Sequence, residues 1–238
     1  MMQYYNIAGL TVGMNSFGRT ASQALPYQIA RPDSDPDLVI QCDWRKVKQI
    51  YPDLSEDECE YLASGANFYR QLLGFGGMML HASAVVLNGK AYLFSAPCGT
   101  GKSTHTSLWC RVFSDRGASI LNDDKPALRL EDGKFYAYGT PWSGKTDQNI
   151  NVRVPLGGIC VLTRGEENVI RPHGGNRAIR ELLEQTVKPK DPHLMGNLLD
   201  LMDQLLRNVP VWKMECNMDP EAARVAYAAM SGVGTGKE

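Results

Sequence analysis

The stretch Ala91-Tyr92-Leu93-Phe94-Ser95-Ala96-Pro97-Cys98-Gly99-Thr100-Gly101-Lys102-Ser103 decides how the rest of the chain is read. Its first five residues, apolar and β-prone, read as a strand. The residues after Ser103 read as an amphipathic helix through about Phe113. Between them Ala96–Ser103 has the form A-x-x-x-x-G-K-S, the P-loop pattern with alanine in place of the first glycine. Chemistry explains each part. Glycines let backbone N–H groups converge on phosphate oxygens, and the helix N-terminus adds partial positive charge. Lys102 is long enough to reach β- and γ-phosphates, and the Ser103 hydroxyl is a hard oxygen ligand for Mg²⁺. The expected nucleotide-binding residues are Ala96, Pro97, Cys98, Gly99, Thr100, Gly101, Lys102, Ser103 and Thr104. The expected cofactors are ATP, or another nucleotide, and Mg²⁺. Cys98 reads as a tolerated small residue in preference to an oxidation-sensitive switch.

Working outward, Met79–Leu87 reads as a strand carrying His81, and Asn88-Gly89 as the tight turn into the strand before the loop. Downstream, Ser119–Asn122 reads as a strand ending at Asp123-Asp124. A carboxylate there can hold Mg²⁺, directly or through water, while its neighbour accepts the proton of an attacking hydroxyl. The residues leave open which does which, so both count as catalytic, with Ser103 and Asp124 as the metal candidates. A hairpin follows, Ala127–Leu130 and Phe135–Tyr138, turning at Asp132-Gly133. Leu156–Thr163 reads as a buried strand, Asn176–Val187 and His193–Asn208 as helices, and Val211–Cys216 as a last strand. Pro220–Met230 reads as a last helix capped by Asp219. Hairpins around a strand–loop–helix unit imply an α/β fold with a mixed sheet.

Residues 1–74 read as a small α+β subregion, with 75–231 as the P-loop domain and 232–238 as a flexible tail. Tyr4–Met14 carries one or two strands, Ala30–Asp37 is loop, and Leu38–Gln41 is a short strand. Ser55-Glu56-Asp57-Glu58 has the form of a capping box. The helix it opens would run to about Leu73 and bury Tyr61, Leu62, Phe68, Tyr69 and Leu72. In the tail, Gly234-Thr235-Gly236-Lys237 echoes the loop, but no helix follows it to complete a phosphate site.

Composition sets limits. The 238 residues carry a net charge of −1, which implies no general attraction to nucleic acid or membrane. Apolar runs are short, and the N-terminus lacks a secretion signal, which points to the cytoplasm. The six cysteines form no C-x-x-C pair, so they read as reduced thiols, mostly core filler, in place of zinc ligands.

The run His81-Ala82-Ser83-Ala84-Val85-Val86, then Ala96–Ser103, then Leu121-Asn122-Asp123-Asp124 resembles the catalytic domain of the HPr kinase/phosphorylase family. The likeness spans roughly Gly76–Thr140. It implies the fold that family shares with the phosphoenolpyruvate carboxykinases, with His81 near the transferred phosphate. It also implies phosphoryl transfer from a nucleotide to a hydroxyl of a small molecule or a protein serine, and a homo-oligomer. The family's N-terminal domain is not recognisable in residues 1–74, nor is its C-terminal signature, so HPr itself is not the expected acceptor. Two other functions fit the residues less well. A carboxykinase-like enzyme needs a second metal cluster that the chain does not display. A non-enzymatic regulatory nucleotide-binding module has no need of His81 and both aspartates.

Remaining candidates are less specific. Gly139–Lys145 reads either as a segment closing over an acceptor or as a hairpin exit with a packed Trp142. Lys125 either neutralises charge near the aspartates or is a surface lysine. Arg164 reads as a surface salt bridge, Arg153 is left open, and His105 reads as structural. His173 and His193 carry no signal, and Met195–Leu206 reads as a core face.

Overall fold

The computed structural model describes residues 2–232. The tail expected over 232–238, with its echo of the loop, therefore lies from residue 233 onward outside the described residues.

The chain begins with a hairpin of β1 (Gln3–Ile7) and β2 (Leu10–Met14). Its turn residues Ala8 and Gly9 have φ of 55° and 73°, the left-handed pair that a tight hairpin turn requires. Then come α1 (Gly18–Ala24), β3 (Gln28–Ile29), β4 (Leu38–Ile40) and α2 (Trp44–Ile50), and the sheet order is β3-β1-β2-β4. The helices α1 and α2 were not anticipated. Each has seven residues and no side-chain cap hydrogen bond, and Asp43 before α2 is an isolated boundary signal with no apolar periodicity long enough to support it. The helix α3 (Glu56–Leu72) starts where the capping box says. Ser55 Oγ accepts from the Glu58 N–H at 3.2 Å, and Glu58 Oε2 accepts from the Ser55 N–H at 2.7 Å. Tyr61, Phe68, Tyr69 and Leu72 are buried, but Leu62 is exposed.

The second region contains β5 (Gly77–Met79), β6 (Ala82–Leu87), β7 (Lys90–Ser95), α4 (Lys102–Val112), β8 (Ser119–Asn122), β9 (Ala127–Glu131) and β10 (Lys134–Tyr138). It continues with β11 (Arg153–Arg164), β12 (Val169–Pro172), α5 (Gly175–Glu184), α6 (Pro192–Asn208), β13 (Val211–Cys216) and α7 (Glu221–Met230). Strands run in the order β5-β9-β10-β11-β7-β6-β8, and β13 joins β11 and carries β12. The sheet is mixed: β7 and β13 pair with β11 in parallel, and the other pairs are antiparallel. Turns form at Asn88-Gly89 and Asp132-Gly133, all four residues with positive φ.

Alternation along the central strands sends neighbours to opposite faces. Leu93, Ile159 and Val161 pack with Leu182, Leu198, Leu201 and Leu205 of α5 and α6. Phe94, Cys160 and Leu162 pack with Leu108, Trp109, Ala222 and Ala226 of α4 and α7. The Met195–Leu206 face is thus core, as read. A third cluster joins Tyr5, Ile7 and Phe68 from the first region to Ala127, Tyr138 and Trp142 from the second. Of the cysteines only Cys59 and Cys160 are buried; Cys98 is exposed and the rest are half-buried, so most are not core filler. No helix among the described residues is long and apolar enough to cross a membrane.

One correction bears on the site. The single strand read over Met79–Leu87 is two. β5 pairs with β9 and β6 pairs with β7 and β8, so the chain changes neighbours at Leu80 and His81. His81 lies in this break and not on a strand. An unbroken apolar run hides such a crossing, because both halves are buried.

Candidate functional site

The glycine-rich loop leaves β7 at Ser95 and enters α4 at Lys102. Gly99 and Gly101 have φ of 78° and 119°, and a Cβ at either would meet nothing within 4 Å. Backbone conformation, not crowding, is what requires glycine at both. Ala96 is buried and is not among the residues with left-handed backbone, so alanine is accommodated there without backbone strain. Lys102 folds back so that Nζ donates to Ala96 O at 2.9 Å. Burial lowers its pKa, opposed by the charges of Asp124, Cys98 and Asp123.

Arg164, read as a surface salt bridge, does something else. It donates from Nε to Thr100 O at 3.2 Å and from Nη2 to Gly99 O. A trans peptide directs its N–H opposite to its C=O, so tying down the Thr100 carbonyl turns the Gly101 N–H the other way. Arg164 therefore braces the loop's backbone orientation.

An open cavity of about 420 Å³ lies on the inner side of the loop. Cys98, Gly99, Gly101, Lys102, Ser103 and Thr104 line one wall; His81, Asp123 and Asp124 line another; Gly144, Lys145 and Thr146 complete it. Of the residues singled out in the sequence as site residues, Ala96, Pro97 and Thr100 do not line it. Pro97 and Thr100 face outward toward Arg164.

The two aspartates have different surroundings. Asp123 is buried: Oδ1 accepts from Ser83 Oγ at 2.5 Å and Oδ2 from Thr146 Oγ1 at 2.8 Å. Ser83 in turn bonds Thr106 Oγ1 at 2.6 Å, which ties Asp123 to the first turns of α4. Asp124 is more open. Its Oδ1 lies 3.1 Å from His81 Nε2, and its Oδ2 pairs with Lys125 Nζ. Burial pushes Asp124 up, but the His81 hydrogen bond and the Lys125 charge outweigh it and hold the group at about 2. Lys125 thus neutralises Asp124 directly and is not a free surface lysine. His81 is held from behind by Gln185: Nδ1 to Oε1 at 3.0 Å, and the His81 N–H donates to Gln185 O at 2.7 Å.

The Gly139–Lys145 segment is an exit loop with a packed Trp142, and its last two residues, Gly144 and Lys145, line the cavity. Trp142 is buried, stacked on Phe68 at 4.9 Å, with Nε1 donating to Ser64 Oγ at 3.1 Å. A Cβ on Gly65 would stand 2.9 Å from its ring, so α3 needs glycine there. Beyond it the chain makes a short 3₁₀ turn, Gly144–Thr146, against the aspartates. The Gly144 N–H donates to Tyr61 Oη at 2.9 Å, and Arg19 holds the Gly144 carbonyl and Asp147. Arg19 and Tyr61 belong to the first region, so α1 and α3 anchor this wall. Ser83, Thr146, Arg19, Tyr61 and Gln185 were not singled out in the sequence as site residues. Hydroxyls, an arginine and an amide far apart in the chain have no shared local pattern.

A second cavity, of about 440 Å³, lies on the outer side of the loop. It shares Gly99, Gly101 and Thr104 with the first and is floored by Leu108, Leu162 and His105. His105 Nε2 accepts from Trp109 Nε1 at 3.2 Å, and burial lowers its pKa to about 4, so it is neutral at pH 7 and structural, as read. Arg153 pairs with Glu131 at 2.8 Å, away from both cavities. His173 pairs with Glu181, and His193 sits in the first turn of α6.

No group of three or more His, Cys, Asp or Glu side chains among the described residues forms a metal cage. Mg²⁺ needs none: it takes one or two carboxylates, with phosphates and waters completing the shell. Ser103 and the aspartates on one cavity are hard oxygen donors that fit it.

No known protein family and no curated protein matches the chain. Among solved structures, the Hpr(Ser) kinase/phosphatase from Coxiella burnetii is similar to 65% of this chain and 99% of its own, at 14% identity and a TM-score of 0.37. A likeness at that level carries no weight about activity.

Proposed function

We propose that the protein is an Mg²⁺-dependent phosphotransferase of the P-loop kind, moving the terminal phosphoryl group of ATP or a related nucleotide to a hydroxyl. The acceptor would be a small molecule or a protein serine. One observation carries this reading: Lys102, Ser103, His81, Asp123 and Asp124 converge on one cavity under a loop whose glycines hold left-handed backbone.

The chemistry asked of the chain is positioning and charge neutralisation. The loop N–H groups and the start of α4 would hold the phosphates. Lys102, on leaving the Ala96 carbonyl, would balance their charge. Mg²⁺, when bound, supplies further neutralisation of the phosphate oxygens. Asp124 stays ionised down to about pH 2 and so is suited, with Ser103, to hold that ion. Asp123 would accept the acceptor's proton, because Oδ2 already receives a hydroxyl, that of Thr146. His81 would keep Asp124 oriented. The outer cavity, contiguous with the loop and floored by Leu108 and Leu162, would seat the nucleoside.

The test is transfer of label from γ-labelled ATP, with Mg²⁺, into a cell extract split into protein and small-molecule fractions. Label should move with the wild-type protein and with neither Lys102→Ala nor Asp124→Asn. If all label stays in ATP, the kinase reading is wrong and a regulatory nucleotide-binding role replaces it.

A further inference from the structure

We infer that Thr146 is itself a phosphoryl acceptor, modified by the site of its own chain; the inference rests on the phosphotransferase reading above. Among the described residues two side-chain hydroxyls donate to Asp123: Ser83 at 2.5 Å and Thr146 at 2.8 Å. Ser83 is buried, is also bonded to Thr106, and is not among the residues that line the cavity. Thr146 is exposed and lines the cavity that Lys102 and Ser103 line from the other side. It therefore meets both requirements of an acceptor: a hydroxyl bonded to a carboxylate that can take its proton, and a place beside the residues that would hold the phosphate.

The backbone supports the placement. The turn Gly144–Thr146 is flanked by left-handed residues, Gly144 at φ 73° and Asp147 at φ 56°. Arg19 and Tyr61 hold Gly144 and Asp147 from outside. Thr146 is thus presented on a tethered turn that lines the same cavity as the loop.

The step balances as follows. Thr146 Oγ1 bonds to the γ-phosphorus while its proton passes to Asp123 Oδ2. The bond from the γ-phosphorus to the oxygen bridging it to the β-phosphorus breaks, and nucleoside diphosphate leaves with the electron pair. The product places a dianionic group beside Asp123 and Asp124, where like charges repel it.

The experiment incubates the purified full chain with Mg²⁺ and γ-labelled ATP, with no added acceptor. ATP binding and phosphate release are followed in parallel, and the modified residue is mapped by mass spectrometry. The expected result is label on Thr146, with a rate per molecule unchanged on dilution. Thr146→Ala should lose the label and Thr146→Ser should keep it. If ATP is bound or consumed while Thr146 stays unlabelled, the inference alone fails, and transfer of label into the cell extract decides the phosphotransferase reading separately. If ATP is neither bound nor consumed, both fail.

Discussion

His81 Nε2 stands 3.1 Å from Asp124 Oδ1, across the break where the chain passes from β5 to β6. With Lys125 on the other oxygen, this contact holds Asp124 at about 2, against 3.8 ordinarily. The sign follows from linkage. A carboxylate with a lowered folded pKa adds stability above its unfolded pKa and loses it as pH falls through the folded value. The contribution, about 2 kcal/mol, should be full above about pH 4 and largely gone near about pH 2. Urea unfolding of wild type and Asp124→Asn across this window checks it: the gap between them should close on acidification. A constant gap would mean the carboxylate is not held by these partners.

Lys102 should behave oppositely in stability and binding. Its ammonium is buried, its pKa is lowered by that burial, and among the described residues its hydrogen-bond partner is the neutral Ala96 carbonyl. A buried cation hydrogen-bonded to a neutral carbonyl costs stability at neutral pH, and the charges of Asp124 and Asp123 offset only part of that cost. Lys102→Met should leave the free protein as stable as wild type or more so, while weakening ATP binding by about tenfold or more. Calorimetric melting and a nucleotide titration test the pair of outcomes. A variant that melts early would show the lysine to be structural.

Gly144 is pinned by conformation and by space. Its φ is 73°, and a Cβ would stand 2.6 Å from Asp124 Cβ. Gly144→Ala should destabilise the protein by roughly 1–3 kcal/mol, since the turn must strain or move off the aspartate. The same displacement should lower phosphoryl transfer more than it weakens ATP binding. Unfolding and turnover, measured side by side, distinguish this from a general loss of fold.

Ser55 tests the helix that anchors the site from the first region. Its hydroxyl and backbone complete the capping box with Glu58. Ser55→Ala should cost about 1 kcal/mol, seen as a lower urea midpoint with an unchanged slope. An unaltered midpoint would mean the start of α3 is held by tertiary packing alone.

Much of this was legible before the structure. Gly99, Gly101, Asn88-Gly89 and Asp132-Gly133 all adopt the left-handed backbone their residue types favour. The Ser55–Glu58 box starts α3 as written. The mixed α/β character also followed, because hairpins and a strand–loop–helix unit each leave local marks. What stayed hidden is instructive. Arg164 showed no sign of bracing the loop, since its partners are backbone carbonyls, which have no residue type to read. Leu62 looked like core but faces out.

The sequence by itself determined the local geometry: a glycine-rich turn between strand and helix, the hairpin turns, the capped α3, and the identity of His81, Lys102, Ser103 and the two aspartates. Such features arise from interactions over a few residues, so type and spacing suffice. Only the tertiary structure decided that His81 meets Asp124 and that Gln185 holds it from behind. Likewise it set Ser83 and Thr146 on Asp123, and Arg19 and Tyr61 behind the turn that carries Thr146. Those contacts join residues distant in the chain. They depend on strand order and on which helix covers which face, and these are set by burial summed over the whole molecule, not by any short run of residues.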